Sequence, residues 1–475
     1  MISITETYQI LPLLIIGAGI LISLVLEMYS KDSEKVLSWF SILIFIVAGI
    51  FSLSTVGNYR TSVFYNMLSV GGNTHFFYFI FNIGAALVCL LSIDYIKKYG
   101  TYYGEYYILV QSSVLGMMLM AGAKDLLVIF LGLEIMSVSF YVLAGLNRKR
   151  ITANEASLKY FLLGAFATGF IVYGIALIYG SAQSTSLDMI TSNFSALSEN
   201  FLFIVGVLLF LIGFSFKIAA FPFHMWVPDV YQGSPTTVAG LFSTGGKAAA
   251  FSSIIITLIA IFNSTAQNIF APYLAVIAAL SMLFGSIVAI AQEDIKRMLA
   301  YSSISHAGYL TIGLAAGNPD GAAGIIFYLA AYTFMNLGAF GIISLIEGEN
   351  ESNITISSYA GLGSRKPLLA ALLALFMFSL AGIPPFAGFF GKYYVFMSAI
   401  KSNLTWLAIV GVISSAISVY FYLRIVVMMY FKESVDEISF AASKPGLYAV
   451  VIASILVLLL GIFPGSILQL ITSFI

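Results

Sequence analysis

"GFSFKIAAFPFHMWVPD", residues 213–229, decides how this chain is read. An almost unbroken apolar run, "FLFIVGVLLFLI" at 201–212, leads into it. Lys217 then falls where the oily middle of a membrane helix belongs, and Pro222 follows. A proline deep in a helix removes a hydrogen bond and frees a carbonyl. In a membrane such a break survives only where protein or water re-satisfies the backbone. A buried ammonium beside a helix breaker therefore predicts a discontinuous helix that opens onto a hydrated cavity.

The device recurs in "LFMFSLAGIPPFAGFFGKYYVF", residues 375–396, with Pro384 and Pro385 mid-span and Lys392 beyond them. The rest of the chain sets the frame for both breaks. It has 475 residues, 60% of them hydrophobic and only 9% charged. Soluble domains of this size carry roughly a quarter charged residues, so this is an all-α polytopic membrane protein. Lys plus Arg and Asp plus Glu number 21 each, which leaves no basic footprint for nucleic acid. The single cysteine, Cys89, excludes an internal disulfide, an iron–sulfur cluster and a zinc–thiolate site. No metal or cofactor is expected on this chain. His75, His224 and His306 lie far apart in sequence. "MISITETYQ" has no basic residue before the first apolar run, which predicts a retained span and not a cleaved signal.

Fourteen spans are expected, near 9–29, 36–56, 74–96, 106–122, 126–146, 157–180, 200–226, 236–262, 270–290, 297–316, 322–346, 367–397, 404–430 and 446–468. They form one transmembrane domain over 1–475, and no soluble domain fits between them. "GTYYGEYY" at 100–107 reads as a loop. Thirteen lysines and arginines, Lys31 among them, lie in loops after odd-numbered spans, against three after even-numbered ones. That bias places both termini away from the cytoplasm. The two broken spans are the seventh and twelfth. Five is an odd separation, so they cross in opposite senses. This predicts two inverted five-helix repeats, spans 4–8 (106–262) and 9–13 (270–430), each with a broken helix, as in ion-coupled transporters.

Five cations remain inside spans: Lys159, Lys217, Lys247, Lys392 and Arg424. Glu134, in "LLVIFLGLEIMSVSFYVLAGL" at 126–146, is the matching acid. A charge at a helix centre costs about 2.5–3.5 kcal/mol on insertion scales, so these residues carry the function. Lys159 stands near a span end and can snorkel. Arg424 can bind a carbonyl or a lipid headgroup. Phosphoryl transfer is excluded by the lack of a phosphate-binding glycine loop, and serine hydrolysis by the lack of a nucleophile elbow. Proton transfer remains. A lysine serves it only if its surroundings can swing it between charged and neutral near pH 7, a swing of about 4.6 kcal/mol. Glu134 beside Lys217 would be such a switch. His306, in the hydroxyl-rich "YSSISHAGYL" at 301–310, can relay protons. Lys247 in "LFSTGGKAAAF" sits among small residues that admit close helices and water. His224 and Trp226 read as the foot of the broken helix, with Trp226 an interfacial anchor.

Three stretches, "FKIAAFPFHMWVPDVYQGSPTTVAG", "KRMLAYSSISHAGYL" and "AGIPPFAGFFGKYYVF", resemble the antiporter-like proton-pumping subunits of respiratory complex I, NADH-quinone oxidoreductase. The likeness runs over about 125–435 and is greatest to the N type, since "PDVYQGSPT" and a lysine in the second broken helix both favour it. The resemblance implies that Glu134, Lys217, Lys247 and Lys392 carry the proton path, with His306 beside them. It implies quinone reduction elsewhere in the complex, with flavin, iron–sulfur clusters and quinone on other subunits. The neighbours would be the M-type subunit and the small K, J and A subunits, in the cell inner membrane. A subunit of a multisubunit sodium/proton antiporter or membrane-bound hydrogenase shares the expected fold. A self-contained solute symporter and a structural scaffold are further readings.

Overall fold

The computed structural model describes residues 4–30, 32–57, 60–98, 104–261, 264–348, 353–433 and 443–474. Lys31 and residues 100–103 of the "GTYYGEYY" stretch lie outside them. The chain is a helical bundle, as its composition requires: without water to bond the backbone, a helix satisfies its own peptide groups. Ten helices among the described residues are long and apolar enough to cross a membrane. Shorter apolar helices, Phe201–Lys217 and Pro367–Ala381, run to the two breaks.

Burial divides the bundle. The Pro319–Ile346 helix is buried along its whole apolar window, and the Thr236–Leu258 span is 94% buried. The Ile151–Ala182 helix is only 33% buried and shows Phe166 and Tyr173 to its surroundings. The centre is thus occupied by the helices carrying Lys247 and Tyr328, and the apolar outer faces are left for lipid.

Both breaks occur as the sequence implies. The first helix stops at Lys217, Ala219 takes a positive φ of 64°, and the chain resumes as helix at Val227–Gly233. The second stops at Ala381, Gly382 turns at φ 86°, and helix resumes at Ala387–Lys401. Only a residue without a Cβ takes that turn cheaply. A third irregularity was not expected. A π-helical turn, Phe242–Gly246, immediately precedes Lys247, and such turns mark functional sites.

One departure from an all-helical reading is a small antiparallel hairpin, Thr61–Val63 with Leu68–Val70, in the connection between the second and third helices. Its turn residues Phe64, Tyr65 and Asn66 all take positive φ. No alternation long enough to mark strands exists in three-residue segments, so the sequence gives no period-2 signal there.

Candidate proton-transfer site

Lys217 ends its helix and is only 7% exposed. Its Nζ donates to Ser137 Oγ at 2.9 Å and to Tyr141 OH at 3.2 Å, both on the Leu126–Ala144 helix. Glu134 lies on the same helix, three residues before Ser137 and seven before Tyr141, hence on one face. The expected close pair of Glu134 and Lys217 is corrected here. Among the described residues no ion pair joins them. Glu134 Oε1 instead accepts from Thr168 Oγ1 at 3.0 Å, while its charge acts on Lys217 from a distance. Ser137 and Tyr141 occupy the ammonium's hydrogen-bonding directions, so the acid and the base share a helix face and not a contact.

The freed backbone at this break is closed by protein. Trp226 Nε1 donates to the Phe216 carbonyl at 3.1 Å, and Ser281 Oγ accepts from Phe221 N at 2.9 Å. Trp226 is therefore not an interfacial anchor. It is 3% exposed and stacks on Tyr160 with ring centroids 4.5 Å apart. A carbonyl orphaned by the break outcompetes the interface for its N–H. His224 packs between Phe221 and Phe284.

Lys247 is 2% exposed and donates to the Ser303 carbonyl and, at 2.5 Å, to Ser303 Oγ. Its Nζ lies 5.4 Å from the Tyr332 ring centroid. The neighbouring Ser302 bonds Tyr422 OH. Tyr422 OH meets His306 Nε2 at 3.0 Å, and His306 Nδ1 meets Tyr328 OH at 2.8 Å. The imidazole thus stands between two hydroxyls, one nitrogen donating and the other accepting, which is the arrangement a proton relay needs.

Lys392 is 4% exposed. Its ammonium reaches back across the break to the carbonyls of Leu380 (3.2 Å) and Ala381 (2.9 Å) and to Ser415 Oγ (2.9 Å), 4.9 Å from the Tyr309 ring centroid. Tyr309 OH continues to Ser414 at 3.1 Å, and Ser414 to Ser286 at 2.7 Å. Lys217 precedes the proline of its break and Lys392 follows the two of its own, yet each ammonium comes to rest at its own break.

Lys217, Lys247 and Lys392 share one feature. Among the described residues, none has a carboxylate within ion-pair distance; their partners are hydroxyls, carbonyls and ring faces. A carboxylate in contact would hold the proton on the nitrogen, whereas neutral acceptors leave it free to move. Between Lys217 and Lys247 the described contacts are rings: Tyr141 on Tyr160 at 4.9 Å and Tyr160 on Phe242 at 5.5 Å. On its other side Lys247 meets Ser303, and the hydroxyl chain through Tyr422 to His306 begins at the adjacent Ser302.

The remaining cations are structural. Lys159 is ion-paired with Glu155 at 2.6 Å and with Asp229 at 2.7 Å, and Asp229 also holds Arg297 at 2.8 Å. Burial pushes the Asp229 carboxyl up, but Lys159 and Arg297 outweigh it and hold the group below the ordinary carboxylate range. That pairing supports the fold above about pH 4, the unfolded value, and is lost as pH falls through the lower folded one. Arg424 donates to the carbonyls of Ile290 (2.9 Å) and Gln292, closing the end of the Ser264–Ile290 helix.

The sequence missed Tyr422, Tyr328, Ser137 and Tyr141. Ser137 and Tyr141 could have been found from their helical spacing to Glu134. Tyr422 and Tyr328 could not, because an isolated tyrosine in an apolar span carries no mark of its partner. Among the described residues no cluster of three or more His, Cys, Asp or Glu could hold a metal.

A membrane bundle with two broken helices and buried lysines is the architecture of ion-translocating membrane subunits. The model of the family "NADH:quinone oxidoreductase/Mrp antiporter, TM" matches residues 123–418. The chain is 43% identical over 98% of its length, and 98% of the relative's, to NADH-quinone oxidoreductase subunit N of Trichlorobacter lovleyi. It is similar to a chain in the structure of respiratory complex I from Thermus thermophilus, with TM-score 0.84 and 33% identity over 97% of this chain and 99% of that one. A chain of the Mrp complex from Dietzia superposes with TM-score 0.87 at 19% identity, over 97% of this chain and 96% of that one, a likeness of fold alone. The chain belongs to the NADH:quinone oxidoreductase/Mrp antiporter membrane-subunit family, and within it to the subunit N relatives.

Proposed function

We propose that this chain is the N-type proton-translocating subunit of a membrane-bound NADH-quinone oxidoreductase, with Glu134, Lys217, Lys247, His306 and Lys392 as its proton-transfer groups. The observation that carries this reading is the set of three buried ammoniums held by neutral partners, with His306 bridging two tyrosines. A membrane potential of 100 mV loads each charge moved across it with about 2.3 kcal/mol. The lysine swing of about 4.6 kcal/mol exceeds that load. Flavin, iron–sulfur clusters and quinone belong to other chains of the complex; this chain contributes charge movement. Its neighbours are the M-type subunit and the small K, J and A subunits, in the inner membrane.

Fourteen crossings, with both termini away from the cytoplasm, complete the proposal. An inverted repeat of spans 4–8 and 9–13 is supported by a shared device. Asp125 caps the Leu126–Ala144 helix and bridges to Ser186; Asp294 caps the Ile295–Ala316 helix and bridges to Thr355. These two helices are the fifth and tenth spans, five apart like the two breaks.

The fold is shared with an antiporter complex, so the fold does not choose between a quinone-reductase and a sodium/proton antiporter assembly; the 43% identity favours the first. Purifying the native assembly decides it. Recovery with NADH–quinone reductase activity and other membrane-arm subunits is expected. Recovery in an assembly without quinone chemistry, or as a lone transporter, overturns the reading.

Glu134→Gln keeps the bond from Thr168 and removes the charge that acts on Lys217. The complex should assemble and reduce quinone while proton uptake by vesicles falls at least several-fold, and at most by the factor of about 10²–10⁴ that a lost acid–base group can cost. Full pumping by the assembled variant contradicts a role for Glu134.

A further inference from the structure

The polar groups of the first four helices have no place in the path above. The Gly72–Lys98 helix is apolar, yet Thr74, Tyr78, Asn82, Cys89 and Ser92 are spaced four, four, seven and three residues apart. At 3.6 residues per turn that spacing lays all five on one face. Tyr78 and Asn82 are fully buried, and neither the Tyr78 hydroxyl nor Asn82 Oδ1 has a hydrogen-bond partner. An orphaned buried polar atom costs about 1–3 kcal/mol, and buried water is the usual remedy where the site is polar.

The seam begins at a cavity. About 330 Å³ of space is lined by Arg60, Ser69, Asn73, Thr74, Lys124 and Asp188. Asn73 Oδ1 there is a third buried acceptor without a partner. Gly122 forms the floor and packs directly against the seam: a Cβ there would come within 2.6 Å of the Tyr78 hydroxyl and 3.0 Å of the Ser69 carbonyl. Any side chain at 122 would have to displace them. From Thr74 to Asn82 the seam descends about 12 Å at 1.5 Å per residue. Beyond Cys89, Ser92 Oγ meets Tyr106 OH at 2.7 Å, and Tyr106 OH lies 3.4 Å from Thr237 Oγ1 at the start of the span that carries Lys247. The opposing Glu105–Gly122 helix abuts that span: a Cβ on Gly245, two residues before Lys247, would meet Met117 Sδ at 3.0 Å.

We propose that the interface of the Gly72–Lys98 and Glu105–Gly122 helices is a water-filled half-channel, open at the Arg60/Lys124/Asp188 cavity and reaching at least to Asn82. It brings water to the core of the bundle beside the helix of Lys247 from the side away from the cytoplasm, and so gives protons a way out. Its part in proton release rests on the proposed function; its hydration does not, and is tested separately.

The chain has one cysteine, so labelling is clean once Cys89→Ala is made. In that background Thr74→Cys, Asn82→Cys and Ile80→Cys are compared in membrane vesicles holding the assembled complex. The probe is a small charged methanethiosulfonate, read by mass on this chain. Thiol reactivity demands access for the reagent and a polar setting for the thiolate, so Asn82→Cys should react at least about tenfold faster than Ile80→Cys, which is equally buried on the opposite face. Reaction at Thr74→Cys with none at Asn82→Cys above the Ile80→Cys rate overturns the proposal. If Asn82→Cys does not assemble, Tyr78→Cys is read in its place against the same control. Proton pumping measured on the same vesicles separates hydration from function: a labelled seam with unchanged pumping in Asn82→Leu would leave the channel and remove its role in proton release.

Discussion

Lys392→Ala should cut proton translocation by about tenfold or more, the scale on which a positioned proton donor acts, while Lys159→Ala leaves it near the wild-type level. Both are lysines in apolar helices, and the sequence already sets Lys159 apart by its place near a span end. The structure separates them. Lys392 is 4% exposed and bonded to two carbonyls of the break and a serine. The Lys159 side chain is 41% exposed and locked between Glu155 and Asp229. Exposed pairs of that kind contribute about 0–1 kcal/mol, and a lysine held by two carboxylates has little reason to give up its proton. Removing Lys392 also takes a donor from the Leu380 and Ala381 carbonyls, leaving Ala381 only Ser415 at 3.5 Å, so assembly must be checked alongside by recovery of the intact complex. Lys392→Arg supplies the control. It keeps the charge and donors for those carbonyls, yet arginine hardly loses its proton, so it should assemble and still pump poorly. Equal loss in the Lys392 and Lys159 variants would show that position at the break is not what matters.

The membrane class, the two breaks and the charged residues were legible because each violates what a lipid-facing helix tolerates. A lysine in "FLFIVGVLLFLIGFSFK" stands out against its run, and a proline mid-span stands out against helical geometry. What those residues touch was not legible. Glu134 and Lys217 looked like a pair because they were the acid and base at hand, but packing put Ser137 and Tyr141 between their roles. Trp226 looked like an anchor because tryptophan favours interfaces, but an orphaned carbonyl at Phe216 claimed its N–H. Tyr328 and Tyr422 became relay partners only when two helices, distant in sequence, closed on His306. The hairpin and the π turn at Phe242–Gly246 leave no periodic signature at all.

Lys247 is where the account is most exposed. It follows the π turn and hands its hydrogen bonds to Ser303, whose neighbour Ser302 leads through Tyr422 to His306. Methionine matches lysine closely in length and is apolar. Among the described residues no carboxylate pairs with Lys247, so Lys247→Met strands no buried charge, and the cost is confined to the Ser303 acceptors, on the order of 1–3 kcal/mol. The complex should therefore assemble. The direct measurement is the number of protons translocated per electron pair, with NADH oxidation and vesicle acidification followed together in sealed vesicles. The account predicts that Lys247→Met lowers this ratio and that Lys247→Arg, which retains the charge, does not restore it. A Lys247→Met complex that assembles, reduces quinone and keeps the wild-type ratio would contradict the claim that these buried lysines move the protons.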